Sequence, residues 1–160
     1  MNLRPAAPSD AAEWLRMRTA LWPVEGHEAE IAEYFESGGS VLLTRVLVAE
    51  RPSRGLAGFI ELGLRTYAEG CDSSPVPFIE GWYVDADVRR TGVGAALVRA
   101  AEEWARQQGY REIASDVELE NETSLSAHRA LGYQEVERLV CFRRSLECGG
   151  TATAFKSGSE

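Results

Sequence analysis

The fold of this chain is decided by the stretch Arg89-Arg90-Thr91-Gly92-Val93-Gly94, which separates an apolar run at 78–84 from an amphipathic segment at 92–108. The order strand, glycine turn, helix leaves the first backbone N–H groups of a helix free to bind a phosphate. The two glycines permit a close approach because they lack a Cβ, and the two arginines add positive charge. A helix cap without a ligand explains the same spacing and stays an alternative.

The length of 160 residues fits one domain with its own core. We place that domain at 1–148, followed by a tail at 149–160 that is rich in Gly, Ser and Thr and that we expect to be disordered. No apolar run approaches the roughly 18 to 20 residues of a membrane span. The N-terminus becomes polar too early for a signal peptide, so we expect a cytoplasmic protein that does not bind membranes.

Cysteine content and charge narrow the possible ligands. Cys71, Cys141 and Cys148 are odd in number and show no CxxC spacing, so they indicate free thiols and neither a disulfide framework nor a zinc site. The net charge of −8 disfavours nucleic acid as a partner and favours cations. An acidic surface that only maintains solubility would have the same charge.

The pattern of apolar and turn residues predicts an α/β fold in the order β-α-α-β-β-β-α-β-α-β. Four helices are expected, at 10–22, 26–36, 92–108 and 121–131. The mixed sheet is expected to have about six or seven strands. Their predicted positions are 2–5, 41–50, 56–67, 78–84, 111–117 and one or two strands within 133–144.

A second motif follows further along the chain: Asn121-x-x-Ser124-x-x-x-His128-x-x-x-Gly132-Tyr133. Together with Arg89-x-x-Gly92-x-Gly94, it resembles the GNAT superfamily of acetyl-CoA-dependent N-acetyltransferases over residues 2–146. The resemblance implies a GNAT fold with acetyl-CoA as co-substrate and no metal. It also implies that coenzyme A is bound by Trp82, Tyr83, Val84, Arg89, Arg90, Thr91, Gly92, Val93, Gly94, Ala95 and Asn121.

Further segments resemble one subgroup, the aminoglycoside 6'-N-acetyltransferases, which inactivate polycationic antibiotics. These segments are Leu21-Trp22-Pro23, Tyr67, Ser74-Pro75-Val76, Phe78-Ile79-Glu80-Gly81, Ser115-Asp116 and Glu135-Val136-Glu137-Arg138. The resemblance implies that the chain confers antibiotic resistance. It implies a mechanism in which the 6'-amine attacks acetyl-CoA directly in a ternary complex, and it implies a homodimer. It implies that the substrate is bound by Trp22, Tyr67, Glu80, Asp116 and Glu137.

The carboxylates of Glu80 and Asp116 are the candidate catalytic groups. An attacking amine must be neutral, whereas an alkylammonium has a pKa of about 10, so a nearby carboxylate is needed to take the proton. The resemblance implies that both bind the amine-bearing sugar and that one is the base, without saying which. The alternatives are a strand-edge carboxylate facing water for Glu80 and a helix cap for Asp116.

Three other side chains keep an alternative explanation. Glu137 is also a candidate cross-strand partner of Arg138 or Arg143, and Trp22 is a candidate core residue at helical spacing. His128 stands where most of the superfamily carries a tyrosine that protonates the leaving thiolate. An imidazolium has the chemistry for that step, but a packed histidine without a catalytic role is the other possibility.

Other functions remain open at this point. A polyamine or another small amine fits an acidic cleft as well as an antibiotic does, and a non-catalytic acyl-CoA-binding module is compatible with the same fold. Coenzyme binding without thiol release would distinguish such a module. A nucleotide-binding P-loop is excluded because the sequence contains no Gly-x-x-x-x-Gly-Lys-Ser/Thr.

Overall fold

A five-stranded sheet flanked by helices forms the fold, which a computed structural model describes for residues 1–39 and 43–146. The strands are β1 Asn2–Pro5, β2 Arg45–Glu50, β3 Leu56–Arg65, β4 Val76–Val84 and β5 Ala114–Ser115. The helices are α1 Ala11–Leu21, α2 His27–Ser37, α3 Val93–Gln107 and α4 Glu122–Ala130. Single 3₁₀ turns lie at Pro8–Asp10 and Ala86–Val88.

The sheet follows chain order from β1 to β5, with antiparallel pairing between the first four strands and parallel pairing between β4 and β5. Alternation along β2 sends Leu47 and Ala49 into one core cluster and Val46 and Val48 into another. The first cluster includes most of the buried apolar residues of α3, and the second includes the buried apolar residues of α1 and α2. These helices therefore cover opposite faces of the sheet.

The four predicted helices are confirmed, whereas the predicted strands are only partly observed. Five strands are described instead of six or seven: β5 contains two residues where 111–117 was expected, and 133–144 contains no strand. A strand requires a neighbouring strand for its backbone groups, and residues 133–144 join none of the described strands. Residues 41–42 of the predicted second strand, the predicted domain end at 148 and the tail at 149–160 lie outside the described residues.

A buried acidic group ties α1 to the centre of the sheet. Glu61 of β3 is 1% exposed and accepts a 2.7 Å hydrogen bond from Nε1 of Trp14. Its carboxylate also lies 3.0 Å from Nε of Arg18, which pairs with Glu30 of α2 at 2.7 Å. Burial raises the pKa of Glu61 to about 7, although the charge of Arg18 opposes this shift. The contacts fix the end of α1 that leads to Trp22.

No helix among the described residues is both long enough and apolar enough to span a lipid bilayer. This finding agrees with the absence of a long apolar run in the sequence.

Candidate active site

The candidate site lies where β4 and β5 separate. Their parallel pairing consists of Phe78 with Ala114 and Ile79 with Ser115. The next residue on β4 is Glu80, and the next after β5 is Asp116. The register therefore places the two predicted catalytic carboxylates together at the mouth of the gap.

A β-bulge gives Glu80 its special position. Across the β3–β4 pair, Glu61 faces Gly81 and Leu62 faces Ile79, so Glu80 is the extra residue with no partner opposite it. Bulges change the direction of a side chain and often occur beside active sites. Glu80 is part-buried and accepts two hydrogen bonds from Arg65, from Nε at 3.0 Å and from Nη2 at 2.6 Å.

Arg65, which the sequence analysis missed, is the cation of this site. Its Nη1 lies 4.0 Å from Oδ2 of Asp116, and its guanidinium carbon lies 3.3 Å from the centre of the Phe78 ring. The hydrogen bonds to Glu80 raise the pKa of Arg65, so it stays charged. The alternation of side chains along β3 was a usable sequence signal for Arg65, because it puts Arg65 on the same face of the strand as Glu61.

Trp22 forms a wall beside the bulge. A Cβ on residue 81 would lie 2.5 Å from Cη2 of Trp22, so only glycine allows the indole to pack this closely against β4. The Arg18 guanidinium lies 5.5 Å from the centre of the indole ring, and Nε2 of His27 bonds the Trp22 carbonyl at 2.8 Å. The sequence analysis also missed Arg18. Its sequence signal was the four-residue spacing of Trp14, Arg18 and Trp22, which puts the three side chains on one side of the helix predicted at 10–22.

Two predicted substrate-binding residues are not brought to this point by any described contact. Tyr67 is 67% exposed on the loop after β3. Glu137 is exposed within 133–146 and forms no ion pair with a described residue. The two alternative partners of Glu137 do not pair with it among the described residues: Arg138 pairs with Glu135 at 2.5 Å, and no described ion pair joins Arg143 to Glu137. Substrate binding by Tyr67 and Glu137 stays a prediction.

The glycine turn forms a cradle for an anion at the start of α3. Gly92 has φ +94°, a left-handed conformation, and the first helical hydrogen bond runs from Ala96 N to Gly92 O at 2.9 Å. The N–H groups of Val93, Gly94 and Ala95 precede this bond and have no partner within the helix. Open space surrounds the Cβ position of Gly92, so the exposed N–H groups and the helix dipole fit a pyrophosphate.

The side chains around the turn stabilise its backbone. Arg89 donates to the Val84 carbonyl at 2.9 Å, and the Thr91 hydroxyl donates to the Val88 carbonyl at 2.7 Å. Arg90 is exposed, with φ +63°. Three predicted coenzyme-binding side chains pack elsewhere in the fold. Tyr83 stacks on Phe59, and Val84 and Val93 belong to the α3 cluster, so the two valines can offer only backbone groups to a phosphate.

Asp85 anchors the entry to this turn. Arg16 donates two 2.9 Å hydrogen bonds to its carboxylate, and Arg51 donates a third at 2.9 Å. Burial disfavours the charge of Asp85, but the bonds from Arg16 and Arg51 outweigh it, so the pKa of Asp85 is lowered. This cluster holds the end of β4 in place before the glycine turn begins.

Gly94 and Trp82 are in mutual contact beside the turn. A Cβ on residue 94 would lie 2.9 Å from Cζ2 of Trp82, so the indole occupies the space that a larger residue would need. Trp82 therefore connects the cradle to the β4–β5 gap. The predicted coenzyme contacts by Trp82 and Gly94 are consistent with this position.

His128 and Asn121 have structural partners on α4. Nδ1 of His128 donates to the Ser124 carbonyl at 2.8 Å, so Nε2 faces the Ser115 hydroxyl at 3.0 Å. The ring also packs edge-on against Trp82 and Tyr133, which supports the packed-histidine explanation. Asn121 uses its side-chain oxygen to cap α4, accepting from Ser124 N at 3.1 Å.

Metal ligands are not grouped anywhere in residues 1–39 and 43–146: no three His, Cys, Asp or Glu side chains come together as a metal site requires. The described arrangement is instead an anion cradle connected to a pair of carboxylates. This combination suits a phosphate-bearing co-substrate and a cationic acceptor.

Comparison with known proteins agrees with this geometry. A profile of the Acetyltransferase (GNAT) family matches residues 10–133. An aminoglycoside N(6')-acetyltransferase type 1 from Klebsiella aerogenes is 49% identical over 147 residues, which cover 90% of this chain and 96% of the relative. A second protein of that name, from Stenotrophomonas maltophilia, is 41% identical over 149 residues, covering 91% of this chain and 94% of the relative.

Solved structures show the same fold. AAC(6')-Iy in complex with the bisubstrate analogue CoA-S-monomethyl-acetylneamine superposes with a TM-score of 0.81 at 33% identity, covering 90% of this chain and 97% of that one. The apo aminoglycoside 6'-N-acetyltransferase AAC(6')-IG from Acinetobacter haemolyticus superposes with a TM-score of 0.79 at 34% identity. This match covers 92% of this chain and 100% of that one. The chain therefore belongs to the GNAT acetyltransferase family, within its group of aminoglycoside N(6')-acetyltransferases.

Proposed function

We propose that this chain transfers the acetyl group of acetyl-CoA to the 6'-amine of an aminoglycoside and so inactivates the antibiotic. The observation that carries the proposal is the placement of Glu80 and Asp116 directly after the last β4–β5 pair. The relatives support both substrates, because their names specify aminoglycoside N(6')-acetylation and one structure holds an analogue that joins CoA to acetylneamine.

Acetyl-CoA supplies the activated thioester, and the glycine turn supplies its binding site. The N–H groups of Val93, Gly94 and Ala95 would hold the pyrophosphate, with Arg89 and Arg90 adding positive charge. Beyond Ile79, β4 pairs only with β3 among the described strands, so those backbone N–H groups between Trp82 and Val84 that alternate away from β3 are available on the open side. We propose that one of them stabilises the negative charge that develops on the acetyl oxygen.

The two carboxylates are proposed to have different roles. Both oxygens of Glu80 are engaged by Arg65, so this carboxylate is suited to fix the position of the substrate. The side chain of Asp116 is 79% exposed and its nearest cation is 4.0 Å away, which leaves it free to accept a proton. We therefore propose Asp116 as the general base that takes a proton from the 6'-ammonium, directly or through one water.

The remaining predicted substrate contacts surround these carboxylates. Trp22 lies against Gly81 and offers an apolar face to a sugar ring. Tyr67 and Glu137 are exposed and are proposed to approach the drug when it binds, Glu137 as a partner for a further ammonium. The mechanism includes no general acid, because a coenzyme A thiolate with a pKa of about 8.5 is an acceptable leaving group. His128, packed between Trp82 and Tyr133, is therefore given a structural role.

We further propose that the active protein is a homodimer that works in the cytoplasm. Val140, Phe142 and Leu146 are each at least 76% exposed, and such exposed apolar side chains favour association with another chain. Free thiols at Cys71 and Cys141 are typical of a reducing compartment.

The choice of acceptor tests the proposed function. We expect rapid thiol release from acetyl-CoA with kanamycin, little with spermidine or a lysine peptide, and a product acetylated at the 6'-amine. Release only with spermidine or the peptide would keep the enzyme class and reject the antibiotic as substrate. Coenzyme binding without release from any acceptor would instead indicate a non-catalytic acyl-CoA-binding module.

Replacement of Asp116 tests the assignment of the base. We expect Asp116→Asn to lower kcat by about a hundredfold or more, the usual range for acid–base catalysis, with the KM for acetyl-CoA unchanged. Glu118→Gln is the matched control, because it removes an exposed carboxylate from the same segment and should retain full activity. Unchanged turnover in Asp116→Asn would remove this residue from the mechanism.

Substitution at the glycine turn tests the coenzyme cradle. We expect Gly92→Val to abolish binding of acetyl-CoA, measured by calorimetry, because a side chain there would fill the space where the pyrophosphate meets the backbone. Gly109→Val is the matched control: Gly109 follows the other end of α3 with φ +87° and has equally open surroundings. It carries the same backbone strain, so equal loss of affinity in both variants would contradict the assignment.

Sedimentation equilibrium tests the proposed dimer. We expect the wild-type chain to sediment as a dimer at micromolar concentration and Phe142→Asp to shift it toward the monomer. The reason is that a charge on the most exposed of these apolar side chains opposes their burial. A monomeric wild type would contradict the proposal.

A further inference from the structure

Arg65 is an unexpected component of a site that must bind a cation. Its guanidinium forms a two-point contact with Glu80 and faces Asp116 at 4.0 Å, so a positive charge already lies between the two carboxylates. Its contact with the face of Phe78 restricts the guanidinium further. A site selected only for affinity toward polycations would gain from the absence of this charge.

We propose that Arg65 is a positioning residue that balances charge at the acceptor site: by offsetting one of the two carboxylate charges, it allows the bound amine to lose its proton more readily. This inference rests on the proposed function, because it requires the acceptor amine to bind beside Glu80 and Asp116. It adds a residue and a role that the assignment of those carboxylates does not contain.

The physical reason is a conflict between binding and reactivity. Only the neutral amine attacks, yet each nearby negative charge stabilises the ammonium form and raises the pKa of the amine. With Arg65 in place, the group formed with Glu80 and Asp116 has one net negative charge; without Arg65 it has two. Arg65 therefore weakens attraction for the ammonium but favours the reactive neutral form.

The surrounding charges do not provide a substitute for Arg65. Glu69, on the loop after β3, faces Arg65 and adds negative charge. Glu61 faces Glu80 from β3, but Arg18 contacts Glu61 and is shared with Glu30 of α2. Within residues 1–39 and 43–146, Arg65 is the only cation paired with Glu80 or Asp116.

Arg65→Gln tests the inference through opposite effects on binding and turnover. We expect the dissociation constant for kanamycin, measured by calorimetry with CoA present, to fall about threefold because the site becomes more negative. We expect the ascending limb of the kcat–pH profile to move up by about half a pH unit, which lowers kcat about threefold at pH values below that limb. The KM for acetyl-CoA should not change.

Two further variants separate charge from geometry. Arg65→Lys keeps the charge but lacks the forked contact, and we expect it to restore the position of the pH limb. Arg54→Gln is the matched control, because Arg54 is exposed in the turn before β3, at the opposite end of that strand from Arg65. It makes the same change in net charge and should leave the affinity and the pH profile as in the wild type.

A different pattern would overturn the inference. If Arg65→Gln weakens kanamycin binding and leaves the pH limb in place, Arg65 only supports the shape of the site. Arg65→Met makes the same charge change and supplies the comparison if Arg65→Gln does not fold, as judged by thermal unfolding. A wild-type chain that acetylates no aminoglycoside would instead reject the proposed function, so the two failures are distinguishable.

Discussion

The separation of β4 from β5 after Ile79 and Ser115 is the constraint on which the rest of the site depends. Continued pairing would engage the backbone of Trp82 to Val84 and close the space between the strands. Because pairing stops there, Glu80 and Asp116 lie side by side at the mouth of the gap. The bulge at Glu80 then directs this carboxylate to Arg65, so one irregular position in the sheet creates most of the polar geometry.

We propose that the helices on the two faces of the sheet serve different substrates. The start of α3 provides the anion cradle, and Trp82 connects it to the gap through its contact with Gly94. On the other face, the buried contact of Glu61 with Trp14 and Arg18 fixes α1, which ends just before Trp22. These contacts position the end of α1 that leads to Trp22, the residue that packs against Gly81 of β4.

Local pattern was sufficient to predict the helices and the glycine turn, because each has a signal within a short window of sequence. The two carboxylates were identified through the resemblance to a known family, and their catalytic role stays a prediction. Arg65 was not predicted, because its role depends on a bulge and on the register between strands distant in sequence. The length of β5 was overestimated for a similar reason: apolar alternation at 111–117 does not show where its neighbour turns away. Segment 133–144 has a strand-like pattern, but it joins none of the described strands.

The central claim is that the acceptor amine binds where β4 and β5 separate, between Glu80 and Asp116. A crystal structure of the chain with CoA and kanamycin tests it most directly. The account predicts the 6'-nitrogen within about 3 Å of a carboxylate oxygen of Glu80 or Asp116, or joined to one through a single water. A 6'-nitrogen held elsewhere, with both carboxylates bound only to Arg65, would contradict it.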